Sequence, residues 1–235
     1  MRHFAHSARK AEFRWWLFLT LLAVLLYVVW PRFDIWVAQW FYSPTEGFMA
    51  NQWSWITTWH QSVGKVGRSL LVLALLAWPL GYFLKAVRLR RQAMSLSLVM
   101  ILGLGLIVHT GFKDQWGRAR PQEVVEFGGS SVYTSPLIPS HACPDNCSFV
   151  SGHAGTGYML IGLGALSAAR QRKRWLLIGW GAGSVLELIR MAQGGHFFGD
   201  ILFAGLILWG VGIMLRRTML LWRKNRISRS HRKVA

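Results

Sequence analysis

The sequence predicts an all-α polytopic membrane protein, with six transmembrane helices packed as a helical bundle. Three observations predict it. Of 235 residues, 53% are hydrophobic, yet the formal net charge is +18, so apolar mass and basic charge are segregated along the chain. The apolar residues gather in stretches of the length that crosses about 30 Å of hydrocarbon, where a helix satisfies its own backbone. The Lys and Arg residues cluster between alternate stretches. Fourteen Trp beside only nine acids is not the composition of a water-soluble domain.

The six spans fall at about 14–30, 66–86, 93–112, 153–170, 174–190 and 197–215. The first runs from Trp15 to Trp30 without a charge, and its terminal aromatics suit the membrane interface. No small-residue cleavage site follows it, so a span is expected rather than a signal peptide. The segment holding Trp53, Trp55 and Trp59 is expected to lie along the surface before the second span. The last three spans are rich in glycines such as Gly162 and Gly164, which let helices pack closely in lipid. Residues 1–235 form one integral membrane domain, with 1–13 and the basic 216–235 as tails.

Orientation follows from the cations, because short basic loops stay in the cytoplasm. Arg2, Arg9, Lys10 and Arg14 precede span one; Lys85, Arg88, Arg90 and Arg91 follow span two. Arg170, Arg172, Lys173 and Arg174 follow span four, and eight more lie from Arg216 to Lys233, so 20 of the 27 fall on one side. Both termini are therefore expected in the cytoplasm, with the intervening loops on the outer face. The basic tail abuts a span and is explained by retention and anionic headgroups, so no nucleic-acid partner is expected.

Three segments on the outer side carry chemistry. The first runs Lys113-Asp114-Gln115-Trp116-Gly117-Arg118-Ala119-Arg120-Pro121. The second is Ser151-Gly152-His153, and the third is Arg190 followed by His196 and Asp200. Planar guanidinium forks at Arg120 and Arg190, with the point charge of Lys113, match the oxygens of a phosphate. Ser151 and Gly152 stand at an expected helix start, where a hydroxyl and closely approaching backbone N–H groups suit an anion. His153 is placed there to protonate a leaving alkoxide. His196 and Asp200 are four residues apart and share a helix face, so the carboxylate can fix the imidazole tautomer and free the other nitrogen to attack. Gly194 and Gly195 mark a turn just before His196, which is expected at a helix start and near the surface. No cofactor and no metal ion are expected.

Cys143 and Cys147, in Cys-Pro-Asp-Asn-Cys, are the only cysteines. On an oxidising face two thiols so close in a turn are expected to form a disulfide. A metal site with His141 as third ligand is the alternative and lacks a fourth ligand of typical spacing.

The combination of Lys, six residues, Arg-Pro; then Ser-Gly-His; then Arg, five residues, His, three residues, Asp resembles the three-part signature of the type 2 phosphatidic acid phosphatase family. The resemblance covers about Lys113 to Asp200. Val150 stands where the family usually has Pro, and Ile189 where it usually has Ser; neither position is a nucleophile, acid or cationic clamp.

The resemblance implies a metal-independent lipid phosphatase working in two steps: His196 as nucleophile forming a phosphohistidine, His153 as acid then base, Asp200 orienting His196. Lys113, Arg120, Ser151, Gly152 and Arg190 would bind phosphate. The family offers lipid A, undecaprenyl pyrophosphate, phosphatidylglycerol phosphate and phosphatidic acid as substrates, and the run from Cys147 to His153 looks most like the lipid A members. A lipid phosphotransferase and a non-catalytic lipid-binding membrane protein are the rival classes.

Two further groups are candidates for a supporting role. Glu187, a membrane-embedded acid three residues before Arg190, is expected to pair with it. His109 is one turn from Lys113 and is expected near the site. Arg118 is expected at the surface, against a headgroup or solvated.

Overall fold

The computed structural model describes residues 2–232. It is almost wholly helical: α1 (Arg2–Val29), α2 (Phe33–Ala38), α3 (Ile56–Phe83), α4 (Val87–Leu98), α5 (Gly152–Tyr158), α6 (Ile161–Ala165), α7 (Ala169–Ala192) and α8 (Phe198–Arg232). α4 passes without a break into a π-helical stretch, Val99–Lys113. The sole described sheet is a two-residue pair, β1 (Tyr42–Ser43) antiparallel to β2 (Gly47–Phe48), with Tyr42 opposite Phe48.

Among the described residues, five helices are long and apolar enough to cross a membrane: Lys10–Val29, Gln61–Phe83, Val87–Lys113, Ala169–Ala192 and Phe198–Trp222. The expected fourth span, 153–170, is not one helix. It is divided into α5 and α6, which are sheathed by α4, α7 and α8 and almost wholly buried. Its glycines explain both facts. A Cβ on Gly157 would run into the backbone of Gly183 in α7, and one on Gly183 into the ring of Tyr158. The small residues bring backbones together at the expense of helix continuity, since each glycine in a helix interior costs up to about 1 kcal/mol relative to alanine.

α8 forms the centre. Phe203, Ala204, Leu208 and Val211 pack against Phe149, Ala154, Tyr158 and Ile161, while α1 and α3 leave broad apolar faces bare, as lipid-facing helices do. The expected basic tails are helical: α1 already begins at Arg2 and α8 continues to Arg232.

The two ends of the bundle differ in charge. Arg172 and Arg190 lie 18 residues apart on α7, about 27 Å along the axis. At the Arg172 end, Glu12 of α1 takes Arg172 at 2.5 Å and Arg216 of α8 at 3.4 Å, tying three helices together. The expected cytoplasmic clusters lie at this end. All three chemical segments lie at the other.

The glycine contacts yield a paired expectation. Gly157→Ala is expected to destabilise the purified protein by about 1–3 kcal/mol through overpacking. Gly181→Ala, on the facing helix α7 but pointing to open space, is expected to be neutral or stabilising by up to about 1 kcal/mol. Unfolding in detergent measures both, and equal effects would contradict the packing.

Candidate active site

Residues 114–150, the connection from α4 to α5, are mostly irregular, and backbone bonds lay their second half along their first. Ser140 N–H donates to Trp116 O, Cys143 N–H to Gly117 O, Cys147 N–H to Lys113 O and Ser148 N–H to Arg118 O, all at 2.8–3.1 Å. Cys143 and Cys147 are joined as a disulfide, with Cα atoms 5.6 Å apart. The closed turn offers its carbonyls to the site: Lys113 Nζ donates to Cys147 O at 3.2 Å and an Arg120 Nη to Asn146 O at 2.7 Å. Pro121 confines Arg120 to an extended backbone (φ −82°, ψ 161°), and Glu123 accepts the Arg120 N–H at 2.8 Å.

The third segment is set by a helix ending and a helix start. α7 closes through Gly194, at φ +67°, with Gly194 N–H bonded to Met191 O and Gly195 N–H to Arg190 O. The Arg190 guanidinium lies over Gly195, where a Cβ would strike it. One Arg190 Nη donates to Gln193 Oε1 at 2.6 Å, and Nε is buried without a partner. α8 then begins, with Asp200 in its first turn.

These residues surround a cavity of about 320 Å³ at one end of the bundle. Lys113, Arg120, Gly152, His153, Arg190 and His196 all line it, and so does His109. The π-helical stretch explains how one helix contributes so much of the wall. Met100, Leu104 with Gly105, His109 and Lys113 recur every four or five residues, the step of an i→i+5 ladder such as Asp114 N–H to His109 O. In an α-helix the 13 residues from Met100 to Lys113 make about 3.6 turns and would face nearly opposite ways.

Three expected placements change. Ser151 does not line the cavity. Its Oγ caps α5 by accepting the Ala154 N–H at 3.2 Å and donates to Glu187 Oε1 at 2.6 Å. Glu187 is therefore bonded to Ser151 rather than to Arg190, and its Oε2 is buried with no bond. His196 is buried rather than near the surface, because the 114–150 connection covers the start of α8. Its Nδ1 is 3.7 Å from Asp200 Oδ2, a charge contact too long for a hydrogen bond.

Arg118 also moves, from expected surface residue to the most enclosed cation in the protein. Its guanidinium bonds Asp200 Oδ1 through Nη1 and Asp34 Oδ2 through Nη2, the latter at 2.7 Å, while Nε donates to Thr134 O. It also lies 4.5 Å from the ring centroid of Phe197 and 5.4 Å from that of Tyr133. Asp34 accepts further bonds from Tyr27 and the Gly199 N–H, and Asp200 from Ser148 Oγ and the Phe197 N–H. Burial alone would lower the arginine pKa, but the two carboxylates raise it above its ordinary value. Asp34 and Ser148 carried no local sequence signal. Asp34 is one of only nine acids in a basic chain, which is the one hint that it is paired.

A chemical distinction separates these cations. Arg118 is neutralised by two carboxylates, whereas Lys113, Arg120 and Arg190 are tethered to neutral oxygens of two carbonyls and an amide. The three keep their charge available to an anion. Burial, joined by the repulsion of Lys113 and Arg190, pushes His196 well below the ordinary histidine value of 6.5 despite Asp200, so its imidazole is neutral at pH 7. Among the described residues no group of three or more His, Cys, Asp or Glu is placed to hold a metal ion.

Two measurements check this geometry. Arg118→Met leaves two buried carboxylates uncompensated and is expected to destabilise by about 3–5 kcal/mol, read by unfolding in detergent; no destabilisation would contradict the network. In ligand-free protein labelled with 13C-histidine, the His196 resonance is expected to titrate well below the ordinary histidine value. A resonance titrating at or above 6.5 would refute the depressed value.

Comparison with known proteins places the chain in a family. Residues 93–226, more than half the chain, match the PAP2 superfamily. The chain is 32% identical to a lipid A 4'-phosphatase of Francisella tularensis subsp. novicida over 196 residues, 80% of this chain and 86% of that protein. Lipid A 4'-phosphatases of Rhizobium etli and Rhizobium leguminosarum are 30% and 29% identical over 56% and 50% of the chain, which spans about half the length of each. No solved structure matches. By family match and relatives together, this multi-pass membrane protein belongs to the PAP2 superfamily.

Proposed function

We propose that this protein removes a phosphate monoester from a lipid A-type glycolipid at the periplasmic face of a bacterial inner membrane, through a phosphohistidine and without a metal. That it is a phosphatase acting on a phosphate monoester of a lipid follows from its family and relatives. The observation that carries the mechanism is the convergence of the His153 and His196 imidazoles with Lys113, Arg120 and Arg190, three cations lacking carboxylate partners, on one cavity. The periplasmic assignment rests on the site lying at the end of the bundle away from the basic clusters.

In the first step neutral His196 attacks phosphorus. An N–P bond forms, the P–O bond to the lipid breaks, and His153 gives its proton to the departing alkoxide. Lys113, Arg120 and Arg190 stabilise the charge that gathers on the equatorial oxygens, with the Gly152 backbone alongside. In the second step water gives a proton to His153 as its oxygen attacks phosphorus, the N–P bond breaks, and phosphate leaves. Asp200, held by Arg118, Ser148 and the Phe197 N–H, supports the positive charge that grows on His196. Ser151 enters by fixing the start of the helix that carries His153, through Glu187.

Phosphate release from lipid A by purified protein in detergent tests the reading. His196→Ala is expected to lower kcat by at least about a thousandfold, and excess EDTA to leave the wild-type rate unchanged. Activity that survives the substitution would remove His196 as nucleophile, and activity abolished by EDTA would remove the metal-free mechanism.

A further inference from the structure

The cavity has a cation that the three segments do not supply. Arg68 lines it from α3, together with Gly64, Gly67 and Leu71. It lies seven residues beyond Gln61, where the crossing stretch of α3 begins, and so about 10 Å along that helix. It makes no hydrogen bond or ion pair with any described residue. An arginine so far into a crossing helix is costly unless it faces a polar cavity, a partner or the interface. α3 is shaped to aim it at the cavity. Gly67 lets α3 close on α5, where a Cβ would stand 3.2 Å from Thr156, and Gly64 leaves room for the guanidinium, whose Nη1 lies 3.8 Å from the place its Cβ would occupy.

The rest of that wall is apolar, formed by Leu71, Met100 and Leu104. The cavity thus grades from His196 and its three cations to an apolar side between α3 and the π-helical stretch, with Arg68 as the further charge on that side. We propose that Arg68 holds a second anionic group of the substrate, one that is retained while the phosphate at His196 is removed. The site would then select a lipid headgroup carrying two negative groups over one carrying a single phosphate. The inference rests on the cavity being the phosphatase site. A guanidinium fork suits a phosphate or carboxylate equally, and one with no carboxylate partner keeps its charge available to an anion.

The experiment compares diphosphoryl lipid A with the monophosphoryl form that keeps only its 4'-phosphate, both cleaved by full-length protein in detergent. The ratio of kcat/KM for the two is expected to fall about tenfold in Arg68→Gln, chiefly through KM for the diphosphoryl lipid, as for loss of one charge-assisted bond. Arg68→Lys, which keeps the charge, is expected to recover part of it. A ratio unchanged in Arg68→Gln, or equal losses on both lipids in both variants, would overturn the proposal: the first leaves Arg68 merely reaching the membrane interface, the second makes it a ligand of the cleaved phosphate or a packing residue. If wild-type protein released phosphate from neither lipid, the phosphatase reading would fall first and this inference with it.

Discussion

The bridge made by Arg118 between Asp34 and Asp200 holds the site end of the bundle together. Three charges are buried there beyond the reach of water, and each is satisfied only because the others are in place. Asp34 brings α2 and, through Tyr27, α1; Asp200 brings the first turn of α8; Arg118 brings the long connection after α4. Uncompensated, any one of these charges would cost several kcal/mol in so dry a place. The network therefore specifies one arrangement of four otherwise slippery apolar segments. Because Asp200 faces His196, the same arrangement sets the position of that imidazole.

Apolar helices in lipid have little hydrophobic reason to choose one another, so close packing and a few polar bonds do the choosing. Close packing is visible where α5 meets α7 at Gly157 and Gly183, and polar bonding where Ser95 Oγ donates to Gly162 O at 2.6 Å. At the far end Glu12 gathers Arg172 and Arg216. Each contact needs a short side chain or a buried charge at one position, while the lipid-facing surface asks only for apolarity. The chemistry is accordingly held at the end with the polar network, and the rest of the bundle serves as its rigid support.

The contrast between Arg118 and the cations lining the cavity turns on what neutralises each. A guanidinium held by two carboxylates is a structural tie, since its charge is spent. Lys113, Arg120 and Arg190 are positioned by neutral oxygens, and two of those oxygens belong to the disulfide-closed turn. The turn thus orients charge without cancelling it. A ligand-free site of this kind is electrostatically strained toward an anion, which is the condition for stabilising a phosphoryl transition state.

Much of this was legible in the chain alone. Length and apolarity set the crossing helices, and the spacing of Lys113, Arg120, His153, Arg190 and His196 marked the groups that line the cavity. Those features are local or follow from charge and periodicity, which depend on residue type and separation. Other features belong to the fold: the division of residues 153–170 into two helices, the burial of Arg118, the turning of Ser151 toward Glu187, the recruitment of Asp34, and the π-helical face that carries His109 and Lys113. Each depends on which distant segment lies opposite. Asp34 and Arg118 are 84 residues apart, and Gly157 is one glycine among 24 until Gly183 stands against it. Sequence determined which ionisable groups the protein carries and in which medium it folds; tertiary structure decided which charges are spent on holding it together and which keep their charge facing the cavity, because neutralisation is a matter of distance in space.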